Sequence, residues 1–481
     1  MKDIYSVAQI RYADDYTINT LKVPEEILVA RAGDAVAEEI CKLFNFAKVL
    51  VCVGKGNNGN DGKVVAEILS IKNFIVKILD CVNPDFSLFD EDYDVIVDCI
   101  FGTGLNKIVT GEYKKIINKI NQKNATIFAC DIPSGLNGDN GKIMGEAIKA
   151  NYTIAIQNLK YGYFLNDGLD YCGEIIVKDI GIVNTFDYNK VKLLENTDVS
   201  PLFHVRYKNV NKGCFGKASV VGGSKNYPGS VNISHLALSA LKMGAGYTNI
   251  GIPNSIYNAC ATLNPECIVT VFNDNGNSII YDEKALNSLL KYDAIAFGMG
   301  ATVSQDIFDC IKYLLQNYKG NLLLDADALN CLSLYGVDAL LNKNKKCKVV
   351  LTPHIGEFAR LINTDKNEVI CNPIEHAKNF AKKYGVTLVL KSASTIITDG
   401  EYVYVNITGN SALAKGGSGD MLSGIIAGLL ARCDNVTLSC ACGSYIMGRA
   451  AEIAVKDANE YTVTATDVIK ALPQAINSLI M

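Results

Sequence analysis

Two stretches of this chain carry residue types and spacings suited to chemistry on a bound small molecule. The first begins where the apolar run Val49 to Val53 meets Gly54, Lys55, Gly56, Asn57, Asn58, Gly59, Asn60, Asp61 and Gly62. Gly54, Gly56 and Gly59 satisfy the G-x-G-x-x-G spacing found after a strand in dinucleotide-binding proteins. Asp80 ends the next apolar run, where a ribose-binding carboxylate would sit. An NAD-dependent oxidoreductase is therefore one reading. The side-chain oxygens of Asn57, Asn58, Asn60 and Asp61 exceed what a pyrophosphate cradle needs, and they suit a hydroxylated ligand or a hard cation better. A P-loop is excluded, because Val64 follows Gly62-Lys63 and Asn57 stands where its first Gly belongs. Two further loops end apolar runs in the same half: Asp98, Cys99, Ile100, Phe101, Gly102, Thr103, Gly104, and Asp131, Ile132, Pro133, Ser134, Gly135. Asp98 and Asp131 each read as a turn cap or as a ligand-facing carboxylate.

The second stretch is Asn406, Thr408, Gly409, Asn410, then Gly416, Gly417, Ser418, Gly419, Asp420, then an apolar helix from Met421. Glycines opening a helix present bare backbone N–H groups and the positive helix end to an anion. Asp420 in that place caps the helix or, beside a phosphate nest, serves as the base that frees a hydroxyl for phosphoryl transfer. Four more loops follow apolar runs: Gly222-Gly223-Ser224, Gly298-Met299-Gly300, Asp325 to Asn330, and Thr352 to Glu357. His354 sits in the last of these beside Glu357, as a satisfied polar group or a ligand contact. Lys391 closes the run Leu388 to Leu390, as a snorkelling lysine or a point charge on a phosphate.

Such loops need a scaffold, and the pattern supplies one. Short apolar runs bounded by Gly, Asn, Asp or Pro alternate with amphipathic runs from end to end, which predicts α/β layers around mostly parallel sheets. Strands are predicted at Val49–Val53, Ile75–Leu79, Val95–Cys99 and Ile127–Cys130. In the second half they are predicted at Ala218–Val221, Tyr247–Ile250, Ala294–Phe297, Leu322–Leu324, Val349–Leu351 and Leu388–Leu390. Helices are predicted at Ser6–Asp15, Glu25–Leu43 behind Pro24, Lys63–Ile71 and Tyr113–Ile120. The alternation weakens between Asn184 and Tyr207, so two domains are expected, 1–205 and 206–481. In open α/β sheets the carboxyl ends of the strands form the ligand crevice, where all these loops converge.

Composition narrows the classes. Of 481 residues, 49 % are hydrophobic and 20 % charged, the balance of a globular chain. The net charge of −4 offers no basic field for nucleic acid or an anionic membrane. No apolar run nears the ~18 residues of a membrane span, and no signal peptide is recognisable, so a cytoplasmic protein is expected. Sixteen cysteines occur without a CxxC pair and read as reduced, buried hydrophobes; four scattered histidines make a zinc site improbable.

In the first half the order of Gly54–Gly62, Asp98–Gly104 and Asp131–Gly135 resembles the YjeF N-terminal family, the NAD(P)H-hydrate epimerases. Tyr12, Asp14, Thr17, Ile18, Pro24, Ala32 and Gly33 match it too, as do Lys160-Tyr161-Gly162 and Asp179-Ile180-Gly181. The resemblance implies a Rossmann-like three-layer αβα domain that interconverts the R and S hydrates of NADH and NADPH. It implies K+ held by Asn58, Asp98 and Ser134, and hydrate held by Asn57, Asn58, Gly59, Asn60 and Asp61 with Gly102, Thr103, Gly104, Leu105, Asn106, Lys107 and Ile108. Asp131 would be the acid–base group at C6. Asn60 stands where the family usually has Gly, placing a Cβ where the loop's backbone freedom matters.

The second half resembles the ribokinase-like fold and, within it, the NAD(P)H-hydrate dehydratases. The match runs through Lys212-Gly213, Gly222-Gly223-Ser224, Ala245-Gly246, Asp325–Asn330, Thr352-Pro353-His354 and Gly416–Asp420. It implies dehydration of the S epimer at the expense of ADP or ATP with Mg2+, with Asp420 as base. Lys391, Ser392, Ala393, Ser394 and Thr395 with Gly417, Ser418 and Gly419 would hold the nucleotide, and Gly300 and His354 the hydrate. Asn211, Thr302 and Lys415 depart from the family pattern. Partners are expected to be small molecules and a second copy of the chain, with no nucleic acid or membrane. A small-molecule kinase and a nucleotide-sensing module are the rival readings.

Overall fold

The computed structural model describes residues 1–185, 189–203, 207–238 and 242–480. Two compact units emerge, Asp3–Val191 and Lys192–Met481 with Met1–Lys2. The division expected at 205/206 lies outside the described residues.

The first unit is built on strands β1 (Lys48–Val53), β2 (Ile75–Asp80), β3 (Val95–Cys99), β4 (Thr126–Cys130), β5 (Tyr152–Ile156) and β6 (Glu174–Lys178). They form one six-stranded sheet in the order β2-β1-β3-β4-β5-β6, every pair parallel. Alternate side chains feed opposite faces. Val49, Val51 and Val53 join one core with Val36, Ile40, Val65 and Leu69 of helices α2 (Glu25–Leu43) and α3 (Asn57–Ile71). Leu50 and Cys52 join the other, with Ile116, Ile117 and Ile120 of helix α4 (Gly111–Asn121). This is a three-layer αβα domain, as expected. Helix α1 (Val7–Asp15) precedes them, capped by Ser6 with a reciprocal bond from Gln9.

One element begins earlier than its composition suggests. Helix α3 starts at Asn57, not at Lys63, so the Asn-rich segment is helical. The glycines that weaken helix propensity are there for contact: a Cβ on Gly59 would fall 2.0 Å from the Gly54 carbonyl, and one on Gly62 2.7 Å from Cys99 Cβ. Close packing of α3 on β1 and β3 outweighs the propensity penalty of about 1 kcal/mol per Gly.

The second unit contains β7 (Lys217–Val221), β8 (Tyr247–Pro253), β9 (Ile268–Phe272), β10 (Ala294–Phe297), β11 (Asn321–Leu324), β12 (Lys348–Leu351), β13 (Thr387–Leu390), β14 (Thr395–Thr398) and β15 (Val403–Asn406). Their order is β9-β8-β7-β10-β11-β12-β13-β14-β15, parallel up to β13 and antiparallel in the final hairpins. Ala294, Ala296, Leu323, Val350 and Val389 pack into one core with the last three helices of the domain. On the opposite side Ile295, Phe297, Leu322 and Leu324 are fully buried. All sixteen cysteines are unbonded, and most are buried. No helix among the described residues is long and apolar enough to cross a membrane.

Candidate functional sites

In a doubly wound sheet the ligand crevice opens where the strand order reverses. In the first domain that point lies between β1 and β3. A cavity of about 750 Å³ opens there, and Asn57, Asn58, Asp61, all of Gly102 to Ile108, and Asp131 line it. Gly59 is buried against Gly54, and Asn60 is exposed, its Oδ1 accepting from Lys63 Nζ at 3.3 Å. The Cβ of Asn60 therefore strains nothing, since it sits in the regular first turn of α3.

Beneath the cavity, Asp98 is wholly buried. Its carboxylate accepts from Ser134 Oγ (2.6 Å), Ser134 N–H (2.7 Å) and Ile100 N–H (3.2 Å), while Ser134 Oγ accepts from Phe101 N–H (2.8 Å). These bonds lock the loop after β3 to the loop after β4. Burial nonetheless pushes the Asp98 carboxyl up to about 6. Asn58 donates through Nδ2 to the Cys130 carbonyl (3.1 Å), and its Oδ1 is buried with no partner. A desolvated carboxylate and an orphaned amide oxygen fit a hard cation, which would supply the missing positive charge.

Asp131 adopts a left-handed backbone, φ +68°, and its carbonyl accepts from the Tyr163 hydroxyl. Its Oδ1 lies 2.7 Å from Lys160 Nζ, whose side chain is 0 % exposed. Lys160 is placed by the two-residue strand Leu159–Lys160, which pairs with Ile4 and Tyr5. Asp61 is pushed up to about 7, by burial first and Asp131 second. A carboxylate paired to a fixed ammonium, beside a carboxyl that holds its proton near neutrality, is equipped for proton transfer. Lys160 stood out in the sequence only as part of a motif; its partnership with Asp131 is set by tertiary structure.

In the second domain the strand order reverses between β7 and β10. Helix α5 (Pro228–Leu238) follows β7, α6 (Ile355–Leu361) follows β12, and α7 (Ser418–Leu430) opens at the glycine run. Gly417 starts α7 in a left-handed conformation, φ +91°. A Cβ on Gly419 would meet Lys391 Nζ at 3.2 Å and Asp325 Oδ2 at 3.8 Å, so the helix start, β13 and β11 converge. Asp325, 1 % exposed, clamps the group: Oδ1 accepts from Lys391 Nζ (2.9 Å) and Oδ2 from Ser423 Oγ (2.7 Å). Lys391 is thus a directed charge and not a snorkelling one. Ser392 to Ser394 form the turn from β13 to β14, which Thr395 begins, with Ser392 Oγ donating to the Ser394 carbonyl (2.7 Å).

Asp420 lies in the first turn of α7, its carbonyl accepting from Ser234 Oγ (2.9 Å). Burial and then Asp325 raise its carboxyl to about 6, against the pull of the Ser230 hydroxyl and Lys391. Gly300, φ +64°, leaves no room for a Cβ against Tyr227 and Ser230, which sets the loop after β10 beside α5. Thr302 follows with φ +69°, a strained setting for a β-branched residue, secured by its N–H donating to Asp327 Oδ2 (2.8 Å). His354 caps α6: its Nδ1 accepts from the N–H groups of Gly356 (2.9 Å) and Glu357 (3.3 Å). The proton is therefore assigned to Nε2, on a ring 55 % exposed. Lys415 Nζ donates to the carbonyls of Glu460 (3.1 Å), Tyr461 (2.8 Å) and Val463 (2.5 Å), tying the glycine loop to the segment before the last helix. The sequence offered no signal for the Asp325 clamp beyond an acid at a strand end.

Comparison with known proteins agrees with both halves. A family model described as NAD(P)H-hydrate dehydratase matches residues 218–474, and one described as YjeF-related protein N-terminus matches residues 25–89 and 80–162. The bifunctional NAD(P)H-hydrate repair enzyme of Dictyoglomus turgidum is 32 % identical over 467 residues, covering 90 % of each chain. That of Archaeoglobus fulgidus is 32 % identical over 470 residues, covering 94 % of each. The crystal structure of the ADP/ATP-dependent NAD(P)H-hydrate dehydratase from Bacillus subtilis, co-crystallised with ATP and Mg2+, is 26 % identical, with a TM-score of 0.50, and covers 59 % of this chain and 97 % of its own. A ribokinase-like superfamily protein from Enterococcus faecalis is 25 % identical, with a TM-score of 0.52, and covers 62 % and 99 %. With both domains matched in one chain and the shared identity running nearly end to end, the protein belongs to the bifunctional NAD(P)H-hydrate repair enzyme family.

Proposed function

We propose that residues 1–205 interconvert the R and S hydrates of NADH and NADPH, and that residues 206–481 dehydrate the S hydrate using ADP or ATP, releasing AMP or ADP and phosphate. One observation carries the reading: relatives named bifunctional NAD(P)H-hydrate repair enzyme align along both domains. In the first domain Asp131 exchanges the proton of the C6 hydroxyl. Asn57, Asn58, Gly59, Asn60 and Asp61 with Gly102 to Ile108 hold the dinucleotide. Asn58, Asp98 and Ser134 are the K+ ligands, which the orphaned Asn58 Oδ1 and the desolvated Asp98 fit. K+, when bound, would supply a fixed positive charge to the cavity's acidic lining.

In the second domain Asp420 takes the proton of the C6 hydroxyl as its oxygen bonds to the terminal phosphorus and the nucleotide leaves. The amides of Gly417, Ser418 and Gly419 accept the phosphate charge, Lys391 to Thr395 hold the nucleotide, and Gly300 and His354 the hydrate. Phosphate then leaves C6 with the C6–O electron pair while a C5 proton passes to water, and the C5–H pair forms the C5=C6 bond of the reduced ring. Mg2+ accompanies the nucleotide, with no residue assigned to it. A cytoplasmic homo-oligomer completes the proposal.

The test is a mixed R/S NADH-hydrate assay with ADP or ATP, following absorbance near 340 nm and resolving the epimers by chromatography. Consumption of both epimers faster than spontaneous epimerisation, with release of inorganic phosphate, is expected. A phosphorylated organic product would replace this reading with a kinase.

A further inference from the structure

The first cavity holds a carboxylate to which the reading above gives no task. Asp14 lies on α1, with Ile10 and Ile18 four residues to either side, and all three line the cavity that Asp131 also lines. Arg11, the other charged residue of α1 at the cavity, is engaged with the Thr103 carbonyl, and no hydrogen bond from the described residues holds Asp14. Directly after it the helix widens: over Tyr16–Thr20 the hydrogen bonding shifts to i→i+5, closed by Leu21 N–H to the Tyr16 carbonyl at 3.0 Å. Such widened turns are rare and gather at functional sites.

The charges that act on Asp14 come from two other elements: Asp131 in the loop after β4 and Lys160 on Leu159–Lys160. Asp61 of α3 faces the same Asp131, and Arg11 of α1 is engaged with the Thr103 carbonyl at 3.0 Å. Burial first and Asp131 second raise the Asp14 carboxyl to about 6, with Lys160 pulling it down. Among the carboxylates that line the cavity, Asp131 holds the buried ammonium, while Asp14 and Asp61, which lack one, keep their protons to higher pH.

We propose that Asp14 is the proton donor of the epimerisation and Asp131 its acceptor. This rests on the epimerase reading. The Asp14 proton passes to the C6 hydroxyl, the C6–O bond breaks, its electron pair leaves with oxygen as water, and the ring-nitrogen lone pair forms C=N. A water adds to the other face of C6: the new C–O bond forms, the C=N pair returns to nitrogen, and the proton goes to Asp131. Transfer of that proton from Asp131 to Asp14 resets the pair, and the water lost equals the water gained.

The experiment follows R-to-S conversion of purified R-NADH hydrate by the full chain, with the spontaneous rate subtracted. No conversion by the unaltered protein overturns the epimerase reading itself. With conversion present, Asp14→Asn is expected to lower kcat roughly 10²-fold with KM nearly unchanged. The falling limb of the pH profile above about 6 should be lost with it. Asp14→Glu should restore part of the rate and a displaced limb, and it decides the matter if the Asn variant does not fold. Rates within threefold of the unaltered protein, a loss confined to KM, or an unmoved pH limb in Asp14→Glu would overturn the proposal.

Discussion

Lys160 and Asp131 meet at 2.7 Å, with the ammonium completely buried and the carboxylate opening onto the cavity of the first domain. The two ends of this pair are therefore unequal. Asp131→Asn strands a buried cation, which costs of order 3 kcal/mol, whereas Lys160→Met leaves a carboxylate that cavity water can reach. We predict that Asp131→Asn melts at the lower temperature of the two, that both lose R-to-S conversion, and that both keep S-hydrate turnover. Calorimetry showing the reverse order of melting, or dehydration lost along with epimerisation, would contradict the assignment.

Asp420→Asn is expected to keep the fold and slow dehydration by at least about 10²-fold. The sign of the pH effect follows from its role. A base must be ionised, and burial raises this carboxyl to about 6, so turnover of the intact enzyme should fall as pH drops through 6. An acid limb near 4, or near-normal turnover by the Asn variant, would remove Asp420 from the mechanism.

Cation binding at Asn58, Asp98 and Ser134 can be read without any activity. At ten times its dissociation constant K+ would stabilise the chain by about 1.4 kcal/mol, which raises the melting temperature by a few degrees over choline at equal ionic strength. Ser134→Ala should abolish that difference, because its hydroxyl is a proposed ligand and also holds Asp98. A K+-specific shift that survives the substitution would place the ion elsewhere.

His354 caps α6 and is the proposed contact to the hydrate. His354→Asn retains an N-cap for α6 and removes Nε2–H, so it should melt near the unaltered protein while KM for the hydrate rises several-fold. His354→Ala removes the cap as well and should cost about 1 kcal/mol. Equal KM in all three proteins would reduce His354 to a cap.

The predicted strands of both domains appear at their places because buried parallel strands are short apolar runs between turn formers, a local signal. Strands β6 and β9, both at sheet edges and mostly unburied, went unpredicted, as did β5, β14 and β15. The start of α3 was hidden by its glycines, whose purpose is contact with Gly54 and Cys99 and not local flexibility.

By itself the sequence determined the α/β class, the loops at the strand ends and the residue types that face the two crevices, since all of these follow from local periodicity and turn chemistry. Tertiary structure alone decided which of those residues meet. Ser134 reaches Asp98 across 36 positions, Lys391 reaches Asp325 across 66, and Asn58 reaches the Cys130 carbonyl across 72. Such pairings arise from strand order and parallel register, which bring distant strand ends to one edge. The raised carboxyls of Asp14, Asp61, Asp98 and Asp420 follow from the same cause, because desolvation depends on what the whole fold places around a group.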